Sequence, residues 1–187
     1  ANCLMAQAVV GATRESLRVG ISSEFENLNP LIGNQAATKF MLYLAHRPLV
    51  ILSPDLQWKP LLIKDIPDLK NKMVRKKGDG LEVDIEFIPN LRWGDKTPVT
   101  CADYHLAWKV GTNKNVSIPD REKFDNVANV TWDKASPTKC KIEYKKAKYD
   151  YFTTFLELLP SHLEGPIFEK HKSKSEGYDQ NSLYTKK

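Results

Sequence analysis

The chain has 187 residues, 41% hydrophobic and 10% aromatic, with 28 basic and 23 acidic side chains giving a net charge of +5. That balance excludes a disordered chain and allows one full domain or two small ones. The excess lysines are spread along alternating segments instead of gathering with aromatics into a patch, which argues against a nucleic-acid partner. No stretch approaches the roughly 18 apolar residues that a membrane span requires.

Residues 1–12 are apolar and uncharged, and contain Ala6-Gln7-Ala8, a small-x-small pattern of the kind signal peptidase accepts, with Val10-Gly11-Ala12 as a second candidate. Residues 1–15 therefore read as a signal-peptide remnant or an N-terminal arm, and imply export. Cys3 raises the alternative of a lipid anchor, although Ala1-Asn2 before it makes a poor lipobox.

Leu17, Val19 and Ile21 alternate with Arg18, Gly20 and Ser22, which predicts a half-buried strand. The run Ser23-Glu24-Phe25-Glu26-Asn27-Leu28-Asn29-Pro30 breaks the alternation and predicts a loop. Asn34 is the expected cap of a helix reaching about Ala45, with Phe40, Met41 and Leu44 on one side. A β-rich run over residues 48–52 is turned by Ser53-Pro54-Asp55. The clearest hairpin follows: a basic strand over residues 70–77, a Gly78-Asp79-Gly80 turn, and a return on which Leu81, Val83, Ile85 and Phe87 alternate with Glu82, Asp84 and Glu86. Opposite charges are expected to face each other across it and to help set its register.

Residues 91–109 read Leu-Arg-Trp-Gly-Asp-Lys-Thr-Pro-Val-Thr-Cys-Ala-Asp-Tyr-His-Leu-Ala-Trp-Lys. Gly94-Asp95-Lys96 supplies turn chemistry, Pro98 fixes a backbone angle, and Thr100 with Asp103 forms a capping pair, so a helix starts at Cys101. Tyr104, Ala107, Trp108 and Gly111 give it an apolar face, read as core and not as a ligand stack. A second hairpin is expected, with arms over residues 127–132 and 138–145, the turn at Lys134-Ala135-Ser136-Pro137, and Cys140, Ile142 and Tyr144 facing inward. Residues 151–159 predict a helix, with Phe152, Phe155, Leu156 and Leu159 on its apolar face and Pro160 ending it. From Lys170 the chain is polar and Lys-rich, which predicts fraying.

The side-chain chemistry favours binding over catalysis. His46, His105, His162 and His171 have no metal-ligand spacing, and no nucleophile elbow or phosphate loop is present, so no enzyme, metal or cofactor is expected. Asp103 beside His105 invites a metal reading, but the helix start is the better role for Asp103. Cys3, Cys101 and Cys140 make neither a metal spacing nor a redox motif. An exported chain can oxidise Cys101 with Cys140 if the fold brings them together, yet two buried, unpaired thiols are the expected outcome.

The run over residues 91–109 resembles the signature of the family 5 extracellular solute-binding proteins, the peptide-binding components of bacterial ABC importers. In that family a strand end leads into Asp-Gly-Thr-Pro-Val-Thr-Ala-x-Asp and an aromatic-rich helix. Trp93, Gly94, Asp95, Thr97, Pro98, Thr100, Asp103 and Trp108 carry the likeness, and Cys101 stands where Ala is typical. With the Leu-Asn-Pro turn and Leu-Leu-Pro-Ser-His-Leu, the resemblance extends over roughly residues 16–171 and to the N-terminal part of the family only.

The resemblance implies an α/β fold with α+β character: part of a periplasmic-binding-protein-like class II lobe plus an inserted small mixed-sheet domain with two antiparallel hairpins. Residues 16–45 would begin the ligand-binding lobe, residues 46–173 would form the inserted domain, and residues 174–187 a polar tail. It further implies an extracytoplasmic, monomeric protein that captures oligopeptides for the transmembrane subunits of an ABC permease. Nickel complexes or other solutes are the alternative cargo, and a protein–protein interaction module without a cleft is the alternative of another class. Ser23, Glu24, Phe25, Glu26 and Asn27 would contact the ligand, with Glu24 meeting an amine or cation and the extended backbone pairing with peptide. A second lobe would be needed to enclose that ligand, so this chain alone is expected to bind it weakly or not at all.

Overall fold

A computed structural model describes residues 20–185. Of the first expected strand, residues 17–19 lie outside the described residues, as do the signal-peptide segment and Cys3, and residues 20–22 are not in a strand. Helix α1 spans Ala36–Ala45 and follows Gln35, so it begins later than a cap at Asn34 predicts, with no side chain capping it. Its buried positions are Ala37 and Thr38, whereas Phe40 and Leu44 are exposed. The apolar stripe read from spacing therefore points away from the body. Thr38 instead anchors the helix, its hydroxyl donating to the Asn27 carbonyl at 3.1 Å.

β1 (Val50–Leu52) and β2 (Trp58–Pro60) form a two-stranded antiparallel ribbon around the Ser53 turn. β3 (Val74–Lys77) and β4 (Gly80–Glu86) make the predicted charged hairpin, with Arg75 opposite Glu82 and their side chains 2.6 Å apart. β3 begins four residues later than expected. Asp68 and Asn71 bond the local backbone there and hold residues 68–73 in a turn.

β4 continues the sheet to β6 (Lys139–Tyr144), and β6 pairs with β5 (Val127–Trp132), giving an antiparallel order β3-β4-β6-β5 with β3 at one margin. Period-two alternation sends Val83, Ile85, Val130, Cys140, Ile142 and Tyr144 inward, all nearly inaccessible to water. Glu82, Asp84, Lys139 and Lys141 alternate with them, and Lys141 stands 3.3 Å from Glu82. Lys76 and Lys77 lie exposed on β3. The lysine-rich strand is thus a cross-strand partner for acidic residues.

Helix α2 (Cys101–Thr112) packs on β5, burying Tyr104, Leu106, Ala107, Val110 and Gly111. Short helix α3 (Glu122–Asp125), absent from the sequence reading, brings Phe124 under Gly111, where an added Cβ would lie 1.9 Å from the ring. Cys101 and Cys140 are joined in a disulfide, with Cα atoms 5.5 Å apart, so the expectation of two free thiols is wrong. The capping turn sets the first residue of α2 directly against β6, a proximity that spacing along the chain does not encode.

The predicted helix over residues 151–159 is also corrected. Only Tyr151–Thr154 forms a 3-10 turn, and the chain then runs extended, burying Phe155, Leu156, Leu158 and Leu159. Pro160 caps the start of helix α4 (Ser161–His171) instead of ending one. The segment expected to fray is folded: α5 (Gly177–Asn181) packs on α4, burying Tyr178 against Phe168 with ring centroids 5.6 Å apart.

Candidate functional site

Two sets of residues singled out by sequence occupy different places. The signature run forms a junction. Trp93 N–H donates to the Thr97 carbonyl at 2.9 Å, and Thr97 N–H to the Asp95 carboxylate at 2.9 Å, closing the turn around exposed Gly94. Pro98 bridges back to Arg92. Lys96 adopts φ 73°, left-handed backbone that favours glycine, and its carbonyl accepts Arg92 Nη1 at 2.9 Å.

Asp103, 2% exposed, gathers three elements. Its Oδ2 accepts Thr100 N–H at 2.8 Å and Trp93 Nε1–H at 3.2 Å, and its Oδ1 accepts Ser161 N–H, at the start of α4, at 2.7 Å. The first is the carboxylate half of a capping box. The others extend the cap into a clamp, and the negative charge also suits the two helix N-termini. Asp95 makes a second tie to α4 through His162 Nε2 at 2.6 Å. The Thr97 amide first, and His162 next, hold the Asp95 carboxyl down to about 2. Trp108 donates from Nε1 to the Val127 carbonyl at 3.2 Å. His105 lies between Trp108 and Trp132, and burial, with Lys109 adding to it, lowers its pKa. Asp103 and His105 thus serve separate packing roles, and among the described residues no group of three or more His, Cys, Asp or Glu is placed to hold a metal ion.

Ser23, Glu24, Phe25, Glu26 and Asn27 lie together along a groove of about 630 Å³ that runs from Ile21 to Leu28 and is walled opposite by Tyr184 and Thr185. Ser23, Glu24 and Glu26 are exposed, while Phe25 and Asn27 are half-buried. The backbone shapes the groove. Asn27 Oδ1 accepts Asn29 N–H at 3.0 Å, and Leu28 N–H donates across to the Tyr184 carbonyl at 2.9 Å.

Sequence reasoning missed the residues behind this groove. Asn29 is fully buried; its Nδ2 donates to Ser182 Oγ at 3.0 Å and to the Tyr178 hydroxyl at 3.4 Å, and its Oδ1 accepts Leu31 N–H at 3.0 Å. Burial, with the Glu164 carboxylate adding to it, pushes the Tyr178 hydroxyl well above its ordinary pKa. Burial likewise pushes Tyr184 up to about 12. The available signal was Tyr178 and Ser182, four residues apart inside a stretch otherwise read as polar.

The fold places the chain in a known class. Its fold is similar to part of solved solute-binding proteins of the kind that the resemblance implied. Among solved structures it is similar to an oligopeptide-binding protein from Thermus thermophilus complexed with pentapeptide, at 25% identity and a TM-score of 0.69, covering 87% of this chain and 27% of that one. It is similar also to the periplasmic EDTA-binding protein EppA, at 19% identity and a TM-score of 0.69 over 87% and 30% of the two chains. A third is NikZ from Campylobacter jejuni in complex with Ni(L-His), at 20% identity and a TM-score of 0.60 over 75% and 26%. The chain thus spans between a quarter and a third of the length of these structures. No family model and no curated protein matches it.

Proposed function

We propose that the protein is a solute-binding component of an ABC importer, working outside the cytoplasm and taking short peptides as cargo for the permease's transmembrane subunits. The observation that carries this reading is the groove along residues 21–28, on a fold shared with an oligopeptide-binding protein solved with its pentapeptide. Its exposed loop offers backbone donors and acceptors for an extended chain, and Glu24 and Glu26 offer negative charge for an amine or a cationic side chain. Residues 16–45 would contribute to the ligand-binding lobe and residues 46–173 would form the domain inserted into it. Binding is the role, with no catalysis attached.

The test is calorimetric titration of the protein with short peptides of differing charge. Saturable binding that favours cationic peptides, and that weakens in Glu24→Gln and Glu26→Gln, is the expected result. Saturable binding that is blind to peptide charge, or that is unchanged in both variants, would reject the groove as the site.

A further inference from the structure

Glu164 is fully buried in α4, and its two carboxylate oxygens point to different segments of the chain. Oε2 accepts the Tyr178 hydroxyl at 2.6 Å, and Oε1 accepts Leu183 N–H at 2.9 Å. A buried carboxylate costs stability unless it is hydrogen-bonded, and an apolar residue of similar size would fill the same space. What the carboxylate adds is position. From Oε2 the path runs through the Tyr178 hydroxyl to Asn29, the residue after Leu28, at the end of one groove wall. From Oε1 it runs through Leu183 to Tyr184, the opposite wall, and Leu28 N–H closes the ring on the Tyr184 carbonyl.

We propose that Glu164 is a positioning residue for the groove, fixing the separation of its two walls and linking them through α4 to the Asp103 clamp at Ser161. This rests on the reading of the groove as a solute site. Removing either bond frees one wall while leaving the four-stranded sheet intact, because neither Glu164 nor Tyr178 lies in it.

Residue-resolved amide hydrogen exchange on the full, ligand-free chain tests the role, using Glu164→Gln, the milder Tyr178→Phe, and Lys170→Gln as a control on the exposed side of α4. We expect exchange at the Leu28 and Leu183 amides to quicken about tenfold in the first two variants, with the Val83 and Ile142 amides and the control unchanged. Unchanged wall amides would overturn the role, and so would core amides quickening in step with them. In parallel, the pentapeptide Ala-Lys-Ala-Lys-Ala is titrated; binding about tenfold weaker in Tyr178→Phe supports the coupling. The exchange readout needs no ligand. Failure of the unsubstituted protein to bind this peptide therefore counts against the groove's assignment, while unchanged wall amides sink the positioning role whether or not peptide binds.

Discussion

The indole of Trp93 and the carboxylate of Asp103 meet at 3.2 Å, so the turn before α2 and the first turn of α2 share one acceptor with the start of α4. The signature run is therefore a scaffold joint, set apart from the groove and connected to it by a helix.

Replacing Asp103 with Ala leaves three donors without their acceptor, one of them on a capped helix. Each donor left unsatisfied by that loss costs about 1–3 kcal/mol, and Asp103→Asn is expected to lose less. Urea unfolding measures both. A cost for Asp103→Ala below about 1 kcal/mol, the level of an exposed ion pair, would show that these hydrogen bonds do not hold the joint.

The disulfide closes a loop with a sequence separation of 39. On the chain-entropy scale such a link contributes about 4 kcal/mol, so Cys101→Ala/Cys140→Ala is expected to unfold at markedly lower denaturant. Both cysteines are buried, so reductant is expected to act slowly on the native protein and quickly once denaturant is added. Equal reduction rates in the two conditions would contradict the buried linkage.

Acid is expected to loosen α4. Asp95 is held down to about 2 from 3.8, first by the Thr97 amide and then by His162. Glu169 is held down to about 2 from 4.5, first by Lys109 and then by Lys172. Folded values below the ordinary ones mean stabilisation that is complete above the ordinary range and is lost as pH falls toward about 2. The thermal midpoint should decline over that window, and less steeply in Asp95→Asn or Glu169→Gln. Parallel declines in variant and parent would show that the exposed pairs are screened out.

Lys96 holds a left-handed backbone where the family signature carries Gly. Glycine removes a Cβ clash worth about 1 kcal/mol but is freer in the unfolded chain. Because the bond from Arg92 is to the Lys96 carbonyl, it survives the change. Lys96→Gly is expected to stabilise by up to about 1 kcal/mol, read as a shift in urea midpoint; a lower midpoint would contradict it.

Local rules made much of the fold legible. Alternation fixed β4 and β6, and Thr100 with Asp103 located α2. The same rules misread residues 151–171. Phe152, Phe155, Leu156 and Leu159 have helical spacing, but Phe152 sits half-buried in a 3-10 turn and the other three are buried by an extended strap, and spacing does not distinguish those cases. Gly165 and Pro166 argue against the helix that does form there, which is held from outside by Asp103 and Asp95 and tied through its own Glu164 to Tyr178 and Leu183. The Cys101–Cys140 link and the Asn29–Tyr178–Glu164 chain were illegible because each joins distant segments. Of the groove, the loop was legible as a break in alternation while its proposed ligand role came from family likeness alone, and its opposite wall lay in a stretch whose lysines masked Tyr178 and Tyr184.

Past Val74, whose N–H donates to the Asp68 carbonyl, β3 lies at the margin of the sheet, where another molecule's strand could pair. Lys76, exposed there, makes that approach electrostatically uphill for a second copy of the same margin. The safeguard depends on the solvent: at 1 M salt the reach of each charge shrinks to about 3 Å, so strand-to-strand polymerisation is least opposed in concentrated brine and most opposed in dilute buffer.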